Sequence, residues 1–169
     1  MAQLIADGNI VGWYQGKMEW GPRALGNRSI LADPRDEKMK DLLNEKIKHR
    51  ESFRPFAPSI LEEYVSEYFD IDRPSPYMIL VANIKKPDKI PAVTHVDGTG
   101  RLQTVKKENN LKYYNLIKSF YEITDVPIIL NTSFNENEPI VNNPIEAVEC
   151  FDRTEMDLLV IENYLISRS

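Results

Sequence analysis

Apolar runs of strand length alternate with amphipathic segments along this chain, and this alternation limits its fold more than any other feature. The runs "NIVGWYQG", "YMILVANI", "VPIILNTSFN" and "DLLVIENYLI" predict strands, because each is short, apolar and bounded by polar or turn-forming residues. The segments "AQLIADG", "DEKMKDLLNEKIKHRES", "LKYYNLIKSFYEIT" and "NPIEAVECFDR" predict helices from the spacing of their apolar residues. Interleaved strands and helices predict an α/β (α+β) fold, and 169 residues, 42% hydrophobic, fit a single domain.

One further helix is predicted directly after a proline-rich stretch. Pro55 and Pro58 exclude a regular helix around them. The segment "SILEEYVSEYF" then begins with Ser59 and Glu62 in the pattern of a capping box. We therefore expect a helix from Ser59 onward.

Charge and cysteine content exclude several classes of protein. The formal net charge of −5 argues against wholesale binding to a nucleic-acid backbone or an anionic membrane, although it allows a local basic site. Cys150 is the single cysteine, so no intrachain disulfide can form, and a reducing, cytoplasmic compartment is expected. Because no apolar run reaches the roughly 18 residues that span a membrane, no membrane partner is expected.

The segment "EWGPRALGNRSILADPR" gathers hydrogen-bond donors around residues that bend the backbone. Its glycines and proline permit a tight turn, from which Arg23 and Arg28 can project toward a common ligand. The alternative for each arginine is a solvated charge on a surface turn.

A second cationic segment, "KIKHRESFRPF", carries Lys48, Arg50 and Arg54. Cations near a helix C-terminus are expected from the backbone dipole, which explains two of them without a ligand. Arg54 lies beyond that helix, between Phe53 and Pro55, where we expect its guanidinium to be held in one geometry. A held guanidinium can bind a phosphate or carboxylate at two points.

The segment "PAVTHVDGTGRLQTV" predicts a hairpin. Its "DGTG" core is typical of a turn between two strands, so Arg101 is expected to lie on the strand that leaves the turn. A metal pair of His95 and Asp97 is not favoured, because His49 is the only other histidine and a closed imidazole site is impossible.

Polar residues follow the apolar strand that ends in "LNTSFN". Thr132, Ser133 and Asn135 supply hydroxyls and an amide at the strand end, where ligands bind in sheet folds. The alternative is an ordinary strand-to-turn junction. Together with the three cationic segments, this strand end predicts an anion pocket. The sequence has neither GxxxxGK[ST] nor GxGxxG after a strand, so side chains would have to hold a nucleotide.

Four blocks of the sequence resemble one known family. "MEWGPRALGNRSILADPR", "RESFRPFAPSIL", "IPAVTHVDGTGRLQTV" and "ILNTSFNENEPIV" are similar, in this order, to the C-terminal domain of the O-carbamoyltransferases of the nodulation and antibiotic-tailoring type. The resemblance extends from about Gly12 to Ile161. It implies the YrdC-like fold of threonylcarbamoyl-adenylate synthases, a twisted, mostly mixed β-sheet flanked by helices. Their Lys-x-Arg and Ser-x-Asn signature is matched by Lys48–Arg50 and Ser133–Asn135.

The resemblance implies a reaction in which carbamoyl adenylate is made from carbamoyl phosphate and ATP. It assigns catalytic roles to Lys48, Arg50, Arg54, Ser133 and Asn135. It assigns binding of the substrates to Arg23, Asn27, Arg28, Arg101 and Thr132. For Asn27, Arg28 and Ser29, closing the loop is an equal alternative. Mg²⁺ is expected with ATP, and Asp97 is the candidate ligand.

The resemblance also implies that residues 1–169 form one domain of a longer protein. In the family, a preceding sugar-kinase/actin-like domain contains the iron site and the acceptor pocket, and it passes the carbamoyl group to a hydroxyl. We therefore expect that domain as the partner. The alternatives are a nucleotide- or RNA-binding module without chemistry, an interaction domain, and an enzyme that uses threonine and bicarbonate.

Overall fold

Nine strands form two sheets in the computed structural model, which describes residues 1–51 and 53–168. In chain order, strands β1 to β9 are Val11–Tyr14, Arg28–Ala32, Ala57–Leu61, Val81–Asn83, Thr99–Arg101, Gln103–Val105, Ile128–Ser133, Leu158–Ile161 and Tyr164–Ser167. Seven of them pair in the order β6-β3-β7-β2-β1-β8-β9, and β4 pairs with β5. The pairs β3–β6 and β1–β8 are parallel and the others are antiparallel, which confirms the predicted mixed sheet.

Five α-helices accompany the sheet in the described part of the chain. In chain order, helices α1 to α5 are Ala2–Ala6, Met39–Leu43, Val65–Tyr68, Leu111–Thr124 and Pro144–Arg153. A π-helix covers Asn44–Lys48, and 3-10 turns cover Glu62–Tyr64, Pro87–Lys89 and Pro91–Val93. Helix α4 packs on α1, β3 and β7, and α5 packs on β1 and β8. None of the described helices is long and apolar enough to cross a membrane.

The two long helices begin where their sequences predict. The side chain of Asn110 accepts a hydrogen bond from Tyr113 N at 3.1 Å, and Asn143 accepts one from Glu146 N at 3.0 Å. Each bond satisfies an N–H that the first helical turn leaves unpaired. Pro144 occupies the first turn of α5, where a missing N–H is tolerated.

Strand β7 lies between β2 and β3 and carries the polar strand end. Ile128, Ile129 and Leu130 are fully buried, whereas Thr132 and Ser133 are half-buried. The apolar half of the strand therefore fixes its polar half at one end of the sheet.

The helix predicted from Ser59 is wrong. Ser59 lies in β3, and its Oγ donates to Gln103 Oε1 at 2.7 Å instead of capping a helix. The helical segment begins only at Glu62. Residues Ala57–Leu61 are all buried between β6 and β7, so sheet pairing outweighs the local capping pattern.

Two other predicted strands differ in extent from the observed ones, and one predicted hairpin does not form. The run at 77–84 contributes only Val81–Asn83 to a strand, and the run at 157–166 is a β8–β9 hairpin that turns at Glu162, where φ is 53°. The hairpin predicted over 91–105 is wrong, because 91–93 is a 3-10 turn and β5 pairs with β4. The predicted turn is present, since Gly98 N donates to His95 O at 3.0 Å.

The helix predicted over 36–52 is shorter and changes type. It begins at Met39, becomes a π-helix at Asn44 and ends at Lys48. The following His49 has a φ of 43° in the left-handed region, which stops the helix and redirects the chain. Ser52, the predicted end, lies outside the described residues.

Candidate functional site

Two adjoining cavities lie at the polar end of β7 and share five lining residues. The first, here called the sheet cavity, has a volume of about 110 Å³ and is lined by Pro22, Arg23, Ala24, Arg50, Pro55, Phe56, Ala57, Met78, Arg101, Asn131, Thr132 and Ser133. The second, here called the arginine cavity, has a volume of about 320 Å³ and is lined by Arg23, Arg50, Arg54, Pro55, Phe56, Val81, His95 and Arg101. The structure thus brings the three cationic segments and the polar strand end together.

Four guanidinium groups line the arginine cavity without carboxylate partners. No described carboxylate lies within 4.0 Å of the side chains of Arg23, Arg50, Arg54 or Arg101. Burial lowers the pKa of Arg101, and the charge of nearby Arg23 lowers it further. Arg101 Nε is buried and has no hydrogen-bond partner among the described residues. Like charges gathered without counter-charges favour an anionic ligand.

The arginine held against a ring is Arg50 and not Arg54. Its guanidinium carbon lies 4.9 Å from the centroid of Phe56, and its Nε donates to Asn44 Oδ1 at 2.8 Å. Burial and the nearby charge of Arg54 lower the pKa of Arg50. Arg54 itself is exposed at the mouth of the arginine cavity. The expectation of a fixed Arg54 is therefore corrected, because Phe53 is exposed too and provides no enclosing wall.

Lys48 joins the two halves of the Lys-x-Arg and Ser-x-Asn signature. Its side chain is buried, and Nζ donates to Ser133 O at 2.8 Å, Asn135 O at 2.6 Å and Asn135 Oδ1 at 2.8 Å. Ser133 Oγ in turn donates to Asn135 Oδ1 at 2.7 Å. Lys48 therefore fixes the turn that follows β7. Of these three hydrogen-bonded residues, Ser133 lines the sheet cavity.

The buried amine gives a prediction for the dependence of stability on pH. Burial, and then the charge of Arg50, lower the pKa of Lys48 from 10.5 to about 7. Between these values the unfolded chain binds more protons than the folded one, so stability rises with pH. Between pH 7 and 10, we expect the free energy of unfolding of wild type to rise, relative to that of Lys48→Met, by up to about 1 kcal/mol per pH unit. Urea unfolding of both proteins across this range measures the difference, and a constant difference would contradict the shift.

Arg28 does not line either cavity. It is 2% exposed, its guanidinium carbon lies 3.5 Å from the ring centroid of Tyr14, and its Nη atoms donate to four backbone carbonyls. The acceptors are Gln15 O at 2.8 Å, Asn27 O at 3.0 Å, Gly16 O at 3.1 Å and Asn142 O at 3.3 Å. These contacts favour the alternative role predicted for Arg28, which is to close the loop rather than to bind substrate.

Asn27 and Ser29 also close the loop that carries Arg23. Glu19 Oε1 accepts from Leu25 N and Asn27 N, both at 2.7 Å, and Ser29 Oγ accepts from Gly26 N at 3.0 Å. The loop is therefore anchored by its own side chains before any ligand binds. The sequence analysis did not predict this role of Glu19. A carboxylate close to the "GPRALGN" turn was the available signal that a side chain accepts from the N–H groups of the turn.

Asp97 does not form a ready-made metal site. Its Oδ1 accepts from Thr99 N at 3.0 Å and Thr99 Oγ1 at 2.7 Å, and the first of the causes that lower its pKa is the bond from Thr99 Oγ1. No group of three or more His, Cys, Asp or Glu side chains that could hold a metal ion occurs in the described ranges. Asp97 therefore stabilises the turn before Arg101.

Comparison with known proteins identifies the family. A family model described as the carbamoyltransferase C-terminus matches residues 2–168. The chain belongs to this family. The match confirms the resemblance carried by the four sequence blocks. Nodulation protein NolNO of Sinorhizobium fredii is 51% identical over 99% of this chain and 25% of its own length. The 3'-hydroxymethylcephem-O-carbamoyltransferase of Amycolatopsis lactamdurans is 40% identical over 95% of this chain and 31% of its own length.

The fold of this carbamoyltransferase-family chain also occurs in a solved structure. HypF, in a crystal structure of its phosphate- and nucleotide-bound form, matches 96% of this chain and 24% of its own length with a TM-score of 0.65 and 20% identity. This likeness confirms the α/β fold class. The chain spans about a quarter to a third of the length of the curated relatives it matches.

Proposed function

We propose that this domain binds carbamoyl phosphate and ATP and forms carbamoyl adenylate. The observation that carries the proposal is the set of four arginines around adjoining cavities with no described carboxylate near enough to neutralise them. Membership of the carbamoyltransferase family supports the carbamoyl group as the part transferred.

The chemistry needs phosphate binding more than it needs a protein nucleophile. Hydrolysis of carbamoyl phosphate gives carbamate and inorganic phosphate. A carbamate oxygen then attacks the α-phosphorus of ATP, the bond to the β-phosphate oxygen breaks, and pyrophosphate leaves. Negative charge accumulates on phosphate oxygens at each stage, and fixed cations in a partly dry pocket stabilise it with little reorganisation.

In this proposal, the positions of the residues set their roles. Arg23, Arg54 and Arg101 bind phosphate oxygens from the walls of the arginine cavity. Arg50, which lines both cavities, holds the phosphate nearest the strand end. Thr132 donates a hydroxyl hydrogen bond at the end of β7, and Ser133 Oγ, whose proton goes to Asn135 Oδ1, can accept one there, while Lys48 and Asn135 fix that end.

An apolar surface beside the arginines suits the base of a nucleotide. A cavity of about 510 Å³ shares Arg23 and Arg101 with the arginine cavity and is also lined by Trp20, Tyr77 and Ile79. These three apolar side chains are exposed, with the Trp20 indole fully so. Stacking of a base on an aromatic ring contributes about 1 to 3 kcal/mol. Base and phosphates can thus bind on adjacent surfaces.

The carbamoyl group would then pass to a hydroxyl acceptor on a further domain. We propose that the partner is a sugar-kinase/actin-like domain preceding these residues in a longer protein. The share of the curated relatives that this chain covers supports that arrangement, since most of their length lies outside the match.

ATP–pyrophosphate exchange tests the proposed function. Exchange is expected to require carbamoyl phosphate and to fall by roughly 100-fold in Arg101→Met, because an oriented donor to developing charge is lost. Arg73→Met is the matched control, since Arg73 is exposed and lines neither cavity. Exchange without carbamoyl phosphate, or equal losses in both variants, would overturn the proposal.

A further inference from the structure

Asn131 carries a buried, unpaired acceptor and lies at the sheet cavity, where Arg23, Arg50 and Arg101 carry donors only. The residue is 1% exposed and lines the sheet cavity. Its Nδ2 is 3.1 Å from each of three oxygens, Ala24 O, Ser59 Oγ and Gln103 Oε1. Its Oδ1 is buried and has no hydrogen-bond partner among the described residues.

Two backbone carbonyls determine which way this amide points. Gln103 Nε2 donates to Leu25 O at 2.9 Å, so Gln103 Oε1 must face Ser59, whose hydroxyl donates to it at 2.7 Å. Ser59 then has no proton left for Asn131, and the other two atoms within hydrogen-bond distance of Asn131 Nδ2, Ala24 O and Gln103 Oε1, are acceptors. The nitrogen of Asn131 is therefore directed at this network, and Oδ1 is left as the unpaired atom.

An unpaired buried acceptor destabilises a folded chain, so such atoms call for a partner. Guanidinium groups carry donors only, and Arg23, Arg50 and Arg101 therefore bind ligand oxygens. An unpaired acceptor near these three guanidinium groups fits a ligand that carries an N–H group close to its anionic oxygens. The carbamoyl group of carbamoyl phosphate has this pattern, because its –NH₂ lies next to a carbonyl oxygen and to the anhydride oxygen that leads to the phosphate.

We infer that Asn131 Oδ1 accepts a hydrogen bond from the –NH₂ of the carbamoyl group and thereby selects carbamoyl phosphate over other acyl phosphates. The inference rests on the proposed function, because it names the part of that substrate which the site reads. Acetyl phosphate is the informative comparison, since a methyl group replaces the –NH₂ and the phosphate is retained. Acetyl phosphate would leave Oδ1 unpaired in the complex.

Calorimetric titration with freshly dissolved carbamoyl phosphate and with acetyl phosphate tests the inference. Wild type is expected to prefer carbamoyl phosphate by roughly 10- to 100-fold, since a site built to bind an N–H group rejects the analogue that lacks it. Asn131→Leu is expected to bind both with similar affinity. Ser59→Ala is the control, because it alters the same network while Asn131 Oδ1 remains, and it is expected to keep the preference.

Three results of these titrations distinguish failure of the inference from failure of the proposed function. Equal affinity of wild type for the two acyl phosphates overturns the inference without use of any variant, and leaves an anion site intact. Binding of neither compound by wild type overturns the proposed function as well. ATP affinity is expected to be unchanged in Asn131→Leu. A loss of ATP affinity with the preference for carbamoyl phosphate retained would assign Oδ1 to the amino group of adenine and overturn the inference.

Discussion

Replacing Gly26 with alanine is expected to lower the free energy of unfolding by about 3 kcal/mol or more, because a strained backbone and a steric clash add together. Gly26 has a φ of +107°, a conformation that residues with a side chain rarely adopt. A Cβ atom there would also lie 2.5 Å from Cγ of Tyr113, whose ring is fully buried. The ring cannot move away without disturbing α4, so the loop that carries Arg23 would have to shift.

Urea denaturation of wild type and variants measures this effect. Gly21→Ala is the matched control, since Gly21 has a φ of +119° but no atom within 4 Å of the added Cβ. Gly21 lies in the same loop as Gly26. Gly21→Ala is therefore expected to lower the free energy of unfolding by the backbone strain alone, about 1 to 2 kcal/mol. Equal losses in the two variants would show that the contact with Tyr113 contributes nothing.

Lys48→Met is expected to reduce carbamoyl-phosphate-dependent exchange by roughly 100-fold, because a misplacement of about 1 Å at a site can cost this much even when the substituted residue lies outside it. The variant loses every bond from Nζ to Ser133 and Asn135, so the strand end is no longer fixed. The fold is expected to survive, because methionine fills a similar volume and leaves no buried charge behind.

Lys46→Met provides the comparison for Lys48→Met. Lys46 lies in the same π-helix, and its Nζ is 3.8 Å from Glu155 Oε2 with both side chains partly exposed. Exchange is expected to stay within about twofold of wild type, since exposed ion pairs contribute little. Retained exchange in Lys48→Met, with a thermal transition like that of wild type, would remove Lys48 from the proposed mechanism.

The parts of the fold that local sequence determines were predictable. Helix α4 covers Leu111–Thr124 as predicted, because its apolar spacing and its cap at Asn110 lie within one segment. The apolar run at the start of β7 is likewise self-contained. Ser59 was misassigned because its capping pattern is local, while the neighbours that hold it in β3 are strands distant in sequence.

In the candidate site, too, some features were predictable from the sequence and others depend on contacts between distant segments. The convergence of Arg23, Arg50 and Arg101 was expected from the cationic segments, and the cavities place these side chains together. Arg28 has the same chemistry, but it begins a strand that directs it onto Tyr14, which no spacing rule reveals. Asn131 was overlooked because it ends an apolar run. A polar residue at such a buried position was the available signal.

The single amine that joins distant segments has a consequence for protein synthesis. Lys48 Nζ binds oxygens that lie 85 and 87 residues later in the chain. A nascent chain that ends before Ser133 therefore lacks both groups that fix the strand end. Until that point the ribosome carries a polypeptide whose Lys48 has no internal acceptors of this kind. Lys48 can therefore fix the polar end of β7 only after most of this chain has been translated.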